Sequence, residues 1–154
     1  MKHPTRPPIA GSALVALCLC VSGGAWAQWL VTPEEAAASL AAPPPLVMRS
    51  MPVAGAPVIS VLSPNLTAPV PSPTRIQVRF EPAAPATIRP ETFRVRYGSL
   101  RIDITGRITS ASTITPEGID VSQASLPKGS HRLFIEVQDS AGRSGERQVQ
   151  FTVE

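Results

Sequence analysis

The chain has 154 residues, fourteen of them basic and eleven acidic, with eighteen prolines and two cysteines. A net charge of +3 and 5% aromatic content give no strong basic stripe for nucleic acid. Both cysteines lie in the first 20 residues, so no disulfide framework or Cys-based metal site is available to the rest of the chain.

Residues 1–27 read as a secretory signal peptide. Lys2 and Arg6 precede the apolar run Ala13–Val21, and Ala25-Trp26-Ala27 supplies the small-x-small cleavage pattern. The run is too short for a membrane span of about 20 residues, and no second one follows. Cys18 and Cys20 raise the alternative of a lipoprotein. Leu17 and Leu19 stand where a lipobox needs a small residue, so lipidation is not expected. Cleavage after Ala27 leaves 127 residues, and losing Lys2 and Arg6 leaves twelve basic against eleven acidic residues. The expected location is the periplasm or the exterior.

Residues 28–56 read as an N-terminal arm. Thr32-Pro33-Glu34-Glu35 is a capping box with proline at the first helical position. A helix is expected over 33–42, ended by Pro43-Pro44-Pro45, with a Pro/Ala-rich linker behind it. Trp29 and Leu30 precede the cap. They fit either a staple against the helix start or an anchor for a partner or for the domain that follows.

From residue 57 to 154 the pattern has period two. Strands are expected at Val58–Leu62, Arg75–Phe80, Thr92–Tyr97, Leu100–Ile104, Ile119–Val121, His131–Val137 and Arg147–Val153. Pro82–Pro90 reads as a crossover, and Ile108 and Ile114 mark an irregular piece with no convincing helix. About seven strands with recurrent turn residues predict an all-β, immunoglobulin-like antiparallel sandwich. Ile76, Val78, Phe80, Phe93, Val95, Tyr97, Leu133, Ile135 and Val137 are its expected core.

The segment Leu126-Pro127-Lys128-Gly129-Ser130-His131-Arg132-Leu133-Phe134-Ile135-Glu136-Val137-Gln138-Asp139-Ser140-Ala141-Gly142, with Phe151-Thr152-Val153, resembles the C-terminal half of bacterial immunoglobulin-like modules. Those modules end in a Pro/Gly turn, a long strand, an Asp-x-x-Gly turn and a Phe-Thr-Val-like strand. The resemblance implies the sandwich fold and is nearly silent on function, since such modules serve as spacers, adhesins and accessory domains. The family often has Asn where this chain has Arg143. Some relatives bind calcium at module junctions, but the acidic cluster that this needs is missing here.

No catalytic, cofactor or metal constellation emerges. His131 is the one histidine after the leader and reads as a strand-edge residue. There is no G-x-S-x-G, phosphate loop or dinucleotide fingerprint. The chain is therefore read as a non-enzymatic exported module that binds another envelope protein. The alternative is an accessory module for an envelope glycan or acidic polymer. An exposed sheet edge could also add a partner strand. The candidate binding residues are Arg94, Arg96, Arg101, Arg132, Phe134 and Trp29. If strands 92–97, 100–104 and 131–137 share a sheet, the outward face carries these arginines with Asp103, Glu136 and an outward Phe134. The general expectation for such a face is cross-strand ion pairing in solvent. The sharper one is an acidic ligand centred on Phe134.

Overall fold

The computed structural model describes residues 29–43 and 53–154. Residues 1–27, read above as a signal peptide, and most of the proline-rich linker lie outside them. Helix α1 (Pro33–Ala41) comes first, then β1 (Val58–Ser63), β2 (Thr74–Glu81), β3 (Ile88–Tyr97) and β4 (Ile102–Asp103). Helix α2 (Thr105–Ala111) follows, then β5 (Ile114–Thr115), β6 (Gly118–Ala124), β7 (Gly129–Asp139) and β8 (Ser144–Val153).

The strands form two antiparallel four-stranded sheets, ordered β1-β2-β6-β5 and β4-β3-β7-β8. This is the immunoglobulin partition of strands, with an additional two-residue strand beside β3. The fold is thus the expected all-β sandwich.

Period-two burial builds its interior. Val78 and Phe80 from β2 face Phe93, Val95 and Tyr97 from β3 and Leu133, Ile135 and Val137 from β7, all buried in one cluster. The rings of Phe80 and Phe93 lie 5.9 Å apart and join the two sheets. Val149, Phe151 and Val153 complete the interior from β8.

Two local readings of the sequence are corrected. The first is the extent of β3, which starts at Ile88, inside the stretch read as a crossover. Its pairing with β7 shifts between Arg89 and Arg94, which accommodates Pro90 without a ladder bond. In that gap the Thr92 hydroxyl accepts the Gln138 N–H at 2.9 Å. The second is the strand expected at Leu100–Ile104, which shrinks to Ile102–Asp103, after which α2 forms. Asp103 Oδ1 accepts from the Thr105 N–H at 2.8 Å, and Ile104 and Ile108, one turn apart, are both buried. Gly106, Thr109 and Ser110 give this helix poor propensity, so tertiary burial decides it.

The sheet edges are guarded. β4 and β5 have two residues each, and β1 carries a register shift at Val61/Ser63. Beside the end of β8, Val70 runs parallel; its N–H donates to Thr152 O at 2.8 Å, and its carbonyl accepts from Glu154 N. Arg147 occupies an inner-face position of β8, opposite Ile135, yet is exposed. A charge placed there opposes strand addition.

Candidate functional site

β3, β4 and β7 do share a sheet, so the predicted face exists. Arg96 is opposite Asp103 on β4 and Phe134 on β7; Arg94 is opposite Glu136. β8 extends the rows with Gln148 beside Phe134 and Glu146 beside Glu136. Arg96 reaches Glu136 at 3.4 Å, and Arg101 reaches Glu146 at 3.5 Å. Arg94 donates to the carbonyls of Phe93 and Glu91. These contacts are largely exposed and contribute little individually.

Phe134 corrects an expectation. It points to the outer face as predicted, but it is only 5% exposed. The guanidinium of Arg101 lies 3.4 Å from its ring centroid and covers it. Arg101 holds a left-handed backbone conformation, φ 52°, in the turn between β3 and β4. The face is therefore a layer of guanidinium and carboxylate groups over a hidden ring, without an exposed apolar centre.

The arm is tied to one end of the sandwich. Thr32 Oγ1 accepts from Glu35 N, and the Glu35 carboxylate accepts from Thr32 N, so the capping box is formed. Leu30 and Val31 are buried in the same cluster as the sandwich interior. Leu30 N donates to Ser125 O at 3.0 Å. Arg107 from α2 forks onto both oxygens of Glu35, at 2.6 and 2.7 Å, and also donates to Leu30 O. The Arg107 guanidinium holds the Glu35 carboxyl down at about 2 against the opposing push of partial burial. Farther along α1, Ser39 Oγ accepts the Ser99 N–H at 2.9 Å. Gly98 makes that approach possible: its φ is +66°, and a Cβ there would collide with Ser39 Oγ.

Trp29 stands apart. It bridges to Ser125 in parallel register and is 44% exposed. No hydrogen bond, ion pair or ring contact among the described residues joins it to the arginine face.

His131 is a second correction. Instead of lying at an exposed strand edge it is 2% exposed, stacked on Phe151 with ring centroids 5.6 Å apart. Its Nε2 lies 2.7 Å from Pro127 O, which can only accept, so Nε2 carries the proton. Nδ1 then accepts from the Tyr97 hydroxyl at 3.0 Å. Burial lowers the His131 pKa below its usual value. Both ring nitrogens are committed to the fold.

Asp139, read as a turn residue, is fully buried. Its Oδ1 accepts from Ala141 N and Arg143 N, each at 2.9 Å, and its Oδ2 accepts from Arg143 Nε at 2.7 Å. Burial pushes the carboxyl up, but these donors together hold it below its ordinary range. The departure at Arg143 thus serves this turn.

Arg132, on β7 opposite Gln150, differs from the other arginines. Its carbonyl accepts from Gly98 N at 2.8 Å, but its side chain has no hydrogen-bond or ionic partner among the described residues. Its Nε is buried and unsatisfied, unlike any other side-chain nitrogen or oxygen among the described residues. It lines a concavity of about 220 Å³ with Ser99, Ser130, Gln150, Ser39 and Leu40.

No protein-family model matches the chain, and no curated protein matches it. Among solved structures it is similar to CopC from Methylosinus trichosporium OB3b, with 19% sequence identity and a TM-score of 0.37. The likeness covers 54% of this chain and 78% of CopC.

Proposed function

We propose that this protein is a non-enzymatic binding module exported to the bacterial envelope, engaging another envelope protein through the outer face of the β4-β3-β7-β8 sheet. One observation carries the reading: Arg94, Arg96, Arg101 and Arg132 converge on that single face, from β3, the β3–β4 turn and β7. The edges of the sandwich are guarded, so a partner is met on a face rather than by strand addition. Arg101 and Arg96 offer donors to acidic side chains once their weak exposed pairs with Glu146 and Glu136 exchange.

The test is affinity capture by the exported protein from its own envelope, compared with the double variant Arg96→Glu/Arg101→Glu. Saturable capture of a defined protein, lost in the variant, is the expected result. Capture that the double variant leaves unchanged overturns the assignment of this face. A second reading, binding of an envelope glycan, is favoured by the exposed Trp29, since sugar faces stack on such rings. Saturable sugar binding lost in Trp29→Ala selects it.

A further inference from the structure

We propose that the concavity at Arg132 is a carboxylate-binding site. Ten arginines lie among the described residues, and seven of them have acidic or carbonyl partners. Arg79 and Arg147 have none but are exposed, so water serves them. Arg132 alone of the ten is both half-buried, with its Nε closed off from solvent, and without a partner among the described residues. A guanidinium in that state gains most from an anion, because the desolvation of its Nε is already suffered in the free protein.

The surroundings select the anion. Ser99 and Ser130 bring hydroxyls to the same concavity, and Gln150 brings an amide, while no acidic side chain lines it. A planar guanidinium fork with neutral donors beside it matches one carboxylate, which accepts two parallel N–H bonds. The volume of about 220 Å³ admits a carboxylate with a short substituent and excludes a large ring system. His131 also lines the concavity, and its burial disfavours a second positive charge there. One carboxylate charge therefore meets one arginine.

One wall is the arm. Ser39 and Leu40 line the concavity, and Ser39 is fixed there by the Ser99 N–H. The site is complete only when α1 is docked. This inference rests on the reading of the outer face as a binding surface and names the chemistry at one end of it. Two sources supply the group: a free small acid, or the terminal or side-chain carboxylate of a partner chain.

The test is an amide-resolved NMR titration of the exported protein with three probes: acetate, Ala-Ala-Ala with a free C-terminus, and the same tripeptide amidated. Saturable shifts at Ser99, Ser130, Arg132 and Gln150 are expected with the first two probes and not with the third. Arg132→Ala should weaken the response about tenfold or more, and Arg132→Lys should weaken it less. Acetate as good as the peptide identifies a free acid; a peptide about tenfold better identifies a chain carboxylate. An equal response to the amidated peptide, no saturation, or an unaltered response in a folded Arg132→Ala protein overturns the site. If the site fails in this way while Arg96→Glu/Arg101→Glu still abolishes capture, the inference falls and the wider binding face stands. If carboxylate binding persists while capture ignores the double variant, the reverse holds.

Discussion

Arg107 and Arg132 lie at opposite ends of the arm's helix and are treated in opposite ways. Arg107 receives both carboxylate oxygens of Glu35 and a backbone carbonyl, and it fixes the N-terminal end of α1 to α2. Arg132 shares a concavity with the C-terminal end of α1, its Nε buried and no acidic side chain among the described residues that line the space. Where a charge is structural here, the chain supplies its counter-charge, as it also does for Asp139 with Arg143. The missing counter-charge at Arg132 marks a place where the partner comes from outside.

The comparison can be broken first at the arm. Leu30→Ala removes a side chain buried in the common interior and should cost about 2–4 kcal/mol in denaturant unfolding. A cost under about 0.5 kcal/mol would mean that the arm is a loose appendage. Trp29, next in sequence, makes a fluorescence reporter of the same event.

Gly98→Ala comes next. Its positive φ and the collision with Ser39 should together cost about 1–3 kcal/mol and free the end of α1 from the turn. Faster limited proteolysis after Leu40 is the expected signature, with carboxylate binding at Arg132 weakened in parallel. An unaltered cleavage rate would show that the Ser39–Ser99 contact does not hold the helix.

The pH dependence sharpens the same contrast. Glu35 has its pKa lowered to about 2 from 4.5, so its contribution is complete above pH 4.5 and is lost as pH falls from 4.5 towards 2. His131, lowered by burial, adds an earlier limb: stability declines once pH falls below the ordinary histidine value of 6.5. Arg107→Ala should flatten the limb below pH 4.5 and leave the one below 6.5 intact. Acid unfolding curves of the two proteins that stay parallel down to pH 2 would remove the Glu35 latch.

The smallest effect is expected on the outer face. Arg101→Ala uncovers Phe134 and removes the pair with Glu146, at a cost of about 0.5–1 kcal/mol. Increased dye binding to the uncovered ring should accompany it. No change in either measurement would mean that Arg101 does not cover the ring in solution.

Much of the fold was legible because it rests on local regularities. Alternation at Phe93-Arg94-Val95-Arg96-Tyr97 and at Leu133–Val137 marks strand and face, Thr32-Pro33-Glu34-Glu35 marks the helix start, and the sheet shared by the two strands enters only with the pairing of the fold. The misreadings share one physical origin, tertiary contacts that a strand's own alternation does not encode. Phe134 keeps its outward position but is covered by Arg101, from another strand connection, so alternation cannot report its burial. His131 obeys the inward alternation with Leu133, but its partners Tyr97 and Pro127 decide that it is a core residue. The α2 helix needs Ile104 and Ile108 to find the interior, which a seven-residue stretch with Gly, Thr and Ser does not announce. Arg132 was named as a candidate for its place on the face; its isolation depends on which acids are absent around it, and only the folded chain displays that.

The most direct measurement is the stability of Arg107→Ala beside Arg132→Ala, by urea unfolding at neutral pH without added carboxylate. The partnered arginine should cost about 1–2 kcal/mol when truncated. Truncating the unpartnered one should alter stability by no more than about 0.5 kcal/mol, or raise it, because a buried unsatisfied donor is removed. A loss at Arg132 equal to or larger than the loss at Arg107 would show that Arg132 belongs to the internal framework, and would contradict its assignment to an external carboxylate.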